Sequence, residues 1–226
     1  MEADWGERRV ADRRAVLRGV GAVCLTSTLA ACTVPGQGPP PDLFRLTPKS
    51  TFDEDLPSVD WQLVIETPVA PAVLGGPRIV LTRAGTKVEY YARSNWTDRA
   101  PDMIHTLVIE SFQNSGRIVA VGRANSGLRS DYLLKLGLRE LEARYPVSGP
   151  PSVHVRLNAL LVDMPERQVI GHAEFESDIP AAVDSMPVIV EAFDEALGKV
   201  LKRLVKFTLV TAEQDWQVER RERRRS

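Results

Sequence analysis

The chain has 226 residues, 43% hydrophobic and 26% charged, enough apolar material for one ordinary globular core with tails. A formal charge of −1 and an aromatic content of 6% argue against nucleic acid as a partner, since neither a basic groove nor a base-stacking platform is available. No apolar run reaches the roughly 18 to 20 residues that cross a bilayer, and both cysteines, Cys24 and Cys32, precede residue 33, so the rest of the chain holds neither a disulfide nor a thiolate metal site.

The first elements are an address. Residues 8–18 (RRVADRRAVLR) are basic and lead into Gly19–Ala31, a short, weakly hydrophobic run, so residues 1–31 read as a secretory signal peptide. Arg13 and Arg14 sit in a stretch that resembles the twin-arginine export signal, and the same arginines also suit the general secretory route. Leu29-Ala30-Ala31-Cys32 resembles the lipobox of bacterial lipoproteins. That resemblance implies cleavage between Ala31 and Cys32, a diacylglyceryl group on the Cys32 sulfur, and a further acyl chain such as palmitate on the freed amine. At about 0.8 kcal/mol per buried methylene, two or three chains anchor a protein permanently. The competing reading is an ordinary signal with an incidental cysteine. Thr33 in place of an aspartate implies, by the same resemblance, the periplasmic face of the outer membrane, with the inner membrane left open.

Residues 32–42 are rich in proline and glycine and read as an extended tether. The folded domain is expected over 43–211. Leu43–Leu46, Trp61–Glu66, Ile79–Arg83 and Lys87–Tyr91 read as strands, the last two joined as a hairpin by Ala84-Gly85-Thr86. Ile104, Leu107, Val108 and Phe112 recur at helical spacing after a cap at Thr97 or Asp98, and Asn114-Ser115-Gly116 ends that helix. Ile118–Val121 is the next strand.

Residues 131–146 divide the signals. Tyr132, Leu134, Leu136 and Leu138 alternate as in a strand, while RELEAR has helical composition; Gly137 tips the reading to a strand. Alternation over 153–161 and 169–175, with a turn at Met164-Pro165-Glu166, completes an antiparallel meander. Ile189, Phe193, Leu197, Val200 and Leu204 form the stripe of a helix over 187–207. The arginine-rich residues 212–226 read as a disordered basic tail. The fold class predicted is α+β, a single domain in which two amphipathic helices pack on one face of an antiparallel β-sheet of seven or eight strands.

Chemistry is sparse. His105, His154 and His172 lack metal-ligand spacing and read as exposed or partner-facing, and no nucleophile elbow, phosphate loop or dinucleotide fingerprint occurs. No enzyme, cofactor or metal is expected. Trp96, just before the first helix, reads either as a hydrophobic staple or as an interface anchor.

The order of these segments resembles the ABC-type transport auxiliary lipoprotein family, which includes the lipoprotein of the paraquat-inducible Pqi system. The resemblance runs through the lipobox, Phe44-Arg45-Leu46, Pro71-Ala72-Val73-Leu74, Ile79-Val80, Val88-Glu89-Tyr90, Trp96, the Leu107 and Phe112 face, Tyr132-Leu133-Leu134, the meander and the closing helix. Leu138-Arg139-Glu140-Leu141-Glu142 departs from the apolar-x-x-Phe-Glu usual there. The resemblance implies a non-enzymatic lipoprotein that docks a lipid-transport assembly, with an MCE-domain protein and an ABC permease and ATPase as partners and a homo-oligomer compatible with that role. Two other readings stand beside it: activation of a cell-wall synthase or help in lipopolysaccharide assembly, and a lipid-binding groove in the domain itself.

Overall fold

Residues 131–146, where helical and strand signals compete, form the strand from which the sheet is built. The computed structural model describes residues 39–223 except 125, 126, 128 and 165; Arg13, Arg14, Ala31 and Cys32 lie outside the described residues. Strand β6, Tyr132–Tyr145, pairs along one whole edge with β7, Ser152–Asp163, which pairs in turn with β8, Val169–Pro180. This is the expected antiparallel meander. The apolar side chains of β6 switch from even positions (Tyr132 to Leu138) to odd ones (Leu141, Ala143), because an irregularity between Leu138 and Glu140 adds Arg139 to the register. The resulting Leu138–Leu141 spacing of three is what imitates a helix.

The other edge of β6 is shared. Its first residues pair with β2, Val59–Ile65, and its last with β3, Arg78–Arg83; both pairings are parallel, and Val69 bridges to Gly137 between them. The sheet then continues on two arms. One adds β5, Ile118–Arg123, parallel to β2; the other adds β4, Lys87–Trp96, antiparallel to β3, and then β1, Asp42–Phe44, parallel to β4. The eight-stranded sheet is therefore mixed, mostly antiparallel in its long ladders, where the sequence led us to expect antiparallel pairing throughout. Short parallel pairings join segments far apart in the chain and leave no turn signature.

Helix α1, Ala100–Ser115, carries Pro101 in its first turn and ends on Gly116 in the left-handed region (φ 60°). Neither Thr97 nor Asp98 caps it: the cap position is Arg99, whose own N–H donates to the Asp98 carboxylate (2.7 Å). Helix α2, Met186–Arg223, is 38 residues long, roughly 57 Å at 1.5 Å per residue. The tail expected from residue 212 is helical to Arg223. The apolar stripe explains this, since Leu204, Thr208, Ala212 and Trp216 continue it at intervals of four, and Trp216 packs on the core. Residues 45–58 strap the two helices: Thr47 bonds to Asp194, the Lys49 N–H donates to Ser111 Oγ, and Asp53 pairs with Lys202 at 2.6 Å.

Trp96 is buried, 1% exposed, and meets Phe193 of α2 edge-on at 5.2 Å. Its indole is core, held where β4 hands over to α1, and is not a surface anchor. Replacing Trp96 by Ala should remove about 3–5 kcal/mol of stability in urea titrations, with Trp96→Phe losing well under half of that; partner binding by the folded fraction should be unchanged.

Candidate functional site

Both helices and the main core lie on one face of the sheet. On β6–β8 the opposite face carries the residues that alternate with the apolar ones: Glu140, Glu142 and Arg144 on β6; His154, Arg156 and Asn158 on β7; Glu174, Glu176 and Asp178 on β8. Register aligns them into rungs, Glu142–His154–Asp178 and Glu140–Arg156–Glu176, each with a base on the central strand between two acids. Glu140 is the hub. Its oxygens accept from Arg156 Nη2 (2.6 Å), His154 Nε2 (2.9 Å) and Arg144 Nη2. His154 Nδ1 lies 3.3 Å from Asp178, and Thr82 of β3 donates to Glu142 at 2.6 Å. Gly137 leaves the room that the Asn158 carboxamide fills, since a Cβ there would fall 2.0 Å from Asn158 Oδ1.

Beside the ladder, where the β3–β4 hairpin rises over the end of β6, a cleft of about 650 Å³ is lined by Thr82, Val88, Glu142, Arg144, Tyr145, Ser152 and Asp178. Tyr91 donates to the Tyr145 hydroxyl (3.0 Å), which donates to Asp184 (2.7 Å), and the Arg83 guanidinium lies 4.1 Å over the Tyr145 ring. Burial raises the pKa of both phenols, so they act as neutral hydrogen-bonding groups. Ser152, His154 and Asp178 are near one another, but His154 Nε2, the atom a serine nucleophile would need as its base, is engaged by Glu140. The arrangement is an electrostatic surface.

The histidines occupy three environments. His172 is exposed, as expected. His154 is buried among carboxylates, contrary to the expectation of exposure, because β6 and β8 supply partners on both sides that one strand read alone does not reveal. His105 is also buried: Nε2 is 2.9 Å from the Ile65 carbonyl, and Nδ1 is 2.9 Å from Arg123 Nη1 and 3.2 Å from Thr67 Oγ1. A carbonyl only accepts and a guanidinium only donates, which assigns the proton to Nε2 and leaves Nδ1 bare. Burial foremost, with Arg123 adding, lowers the His105 pKa, against the Ile65 carbonyl that raises it.

A second charged cluster lies where α2 crosses the end of β7. The carboxylates of Asp163, Asp215 and Glu219 come within 4.8 Å of one another. Burial, then Glu219, Asp215 and Glu166, push the Asp163 pKa up to about 6. Neither cluster was singled out in the sequence. The ladder's signal was the polar half of each alternating strand; the second cluster was hidden because residues 212–223 read as a tail. Of the site residues expected, Trp96 is buried in the core, and Arg13, Arg14, Ala31 and Cys32 lie outside the described residues.

Residues 44–205 match the family model described as ABC-type transport auxiliary lipoprotein component. The crystal structure of a Xanthomonas campestris protein, of the family also described as DUF330, is 31% identical and superposes with a TM-score of 0.74 over 78% of this chain and 99% of that one. A crystal structure of an uncharacterised protein, 15% identical, shares the fold with a TM-score of 0.59 over 74% and 97% of the two chains. An uncharacterised protein of Bradyrhizobium diazoefficiens is 26% identical over 148 residues, which are 66% of this chain and only 39% of that protein.

Two outcomes follow from the geometry. Glu140→Ala strips one acceptor from Arg144, His154 and Arg156 and should cost about 1–3 kcal/mol by chemical denaturation, whereas Glu89→Ala, which removes only exposed pairs with Arg83 and Lys87, should leave the denaturation midpoint nearly unchanged. The folded pKa of His105 lies below its unfolded value near 6.5, so its contribution is complete above that pH and is lost as pH falls through 6.5 toward the folded value. Thermal melts from pH 7.5 to 5 should show that decline, and His105→Gln should flatten it.

Proposed function

This chain belongs to the ABC-type transport auxiliary lipoprotein family, and from that premise we propose that it is the lipid-anchored docking subunit of an ABC/MCE-type lipid transport system at the outer membrane. Cys32 carries the acyl chains in this reading, after cleavage behind Ala31 and export directed by a signal that includes Arg13 and Arg14. No helix among the described residues is long and apolar enough to cross a membrane. From Cys32 to Asp42 an extended chain spans at most about 35 Å, so the folded domain stays close to the bilayer.

The observation that carries the docking role is the helix-free face of β6–β8. Around its two charged rungs carboxylates outnumber Arg144, Arg156 and His154, with Lys135 and His172 further along the same face, and the outer carboxylates point to solvent, Glu176 63% and Asp178 51% exposed at the side chain. A partner surface that fits it is basic. The engaged ring nitrogens of His154 support a binding role over a catalytic one.

Affinity purification of the full-length protein from membranes in mild detergent, with partners identified by mass spectrometry, tests this. An MCE-domain protein with its ABC permease and ATPase should be recovered, and the double substitution Glu176→Lys, Asp178→Lys should cut that recovery about tenfold without lowering the melting temperature by more than a few degrees. Cys32→Ser should release the protein from the membrane fraction. Recovery of cell-wall synthases without an MCE protein would overturn the reading.

A further inference from the structure

The last three turns of α2 meet the sheet through contacts that act in opposite directions. Ala212 is buried, Trp216 stands edge-on to Tyr132 at 6.4 Å, and the Tyr132 hydroxyl proton is shared between the Ala212 carbonyl (3.1 Å) and Asp215 Oδ2 (3.0 Å). Trp61 Nε1 donates to Glu213 (3.1 Å), and Arg220 pairs with Asp60 of β2 (2.6 Å). These contacts hold the helix down. Against them, Asp163 at the end of β7 presses its carboxylate toward Asp215 and Glu219, which are one turn apart on the helix, and Glu166 adds its charge from the following turn. The Trp216 indole nitrogen is buried with no hydrogen-bond partner among the described residues, which further lowers the cost of opening.

We propose that residues 212–223 form an acid-closed clamp: proton uptake by the carboxylate cluster beneath the helix locks this segment onto the sheet, and proton loss lets it open while the rest of the domain stays folded. Protonated Asp163 removes the like-charge contact and supplies an O–H donor to the neighbouring carboxylates. Ionised, it is a buried charge facing two others of the same sign. Burial is the largest cause of its raised pKa, about 6, and the Met164 backbone N–H works the other way. Once the segment opens, Asp163 faces water and returns toward 3.8. The closed form therefore binds the proton more tightly; closure is complete below the open-form value, weakens as pH rises from there to about 6, and is constant above. Opening separates Arg220 from Asp60 and uncovers the rings of Trp61 and Tyr132.

Amide hydrogen exchange of the full chain, resolved over 212–223 and corrected for intrinsic exchange rates, tests this between pH 4.5 and 7.5. The opening equilibrium should rise roughly tenfold to a hundredfold across that range, and Asp163→Asn should hold the segment at the low, acid-like level throughout. Opening that is independent of pH in the unaltered chain, or a slope unchanged by Asp163→Asn, overturns the proposal. Should that variant fail to fold, Asp215→Asn carries the test: its slope must shrink, and an unaltered slope overturns the proposal equally.

Discussion

A strand of fourteen residues keeps one side in a core only if its pleat stays in phase with the sheet, and β6 manages this by slipping phase once, at Arg139. Without that extra residue, Leu141 and Ala143 would turn to the open face and Glu140 and Glu142 into the core. With it, Leu141 and Ala143 stay on the core side with Tyr132, Leu134, Leu136 and Leu138, and the acids after the irregularity meet His154 and Arg156. The two arms of the sheet depend on the same strand, because β2 and β3 divide its second edge between them. The core and the charged face are thus two consequences of one register.

The two charged clusters do different work because their surroundings differ. On the open face His154 and Arg156 sit between acids of the two neighbouring strands, so the ladder holds the long strands in register at modest energy while leaving its outermost carboxylates in water. Under the end of α2 the acids face one another. Burial raises the Asp163 pKa toward the range in which proteins ordinarily work, and the helix end inherits a dependence on protons that the ladder does not need.

Much of this was legible. The β3–β4 hairpin follows from the short glycine-containing spacer, α1 from its period and Gly116, and the meander from alternation over 153–161 and 169–175. What misled was local resemblance to another state: RELEAR imitates a helix because the slip at Arg139 sets Leu138 and Leu141 three apart, and AEQDWQVERR imitates a disordered tail because its charges hide a stripe that continues to Trp216. Trp96 was correctly marked as unusual, yet whether it faced a partner or the core depended on Phe193, nearly a hundred residues away.

By itself the sequence determined the elements, their apolar faces, the α+β class and the family resemblance, since period, turn residues and composition act within a few neighbouring residues. Only the tertiary structure decided the mixed pairing of the sheet, the length of α2 as a packed helix, and which charges meet. Glu140 reaches His154, and Asp163 reaches Asp215, through strand register and helix placement, and such contacts between distant positions are set by how the core closes rather than by any local pattern.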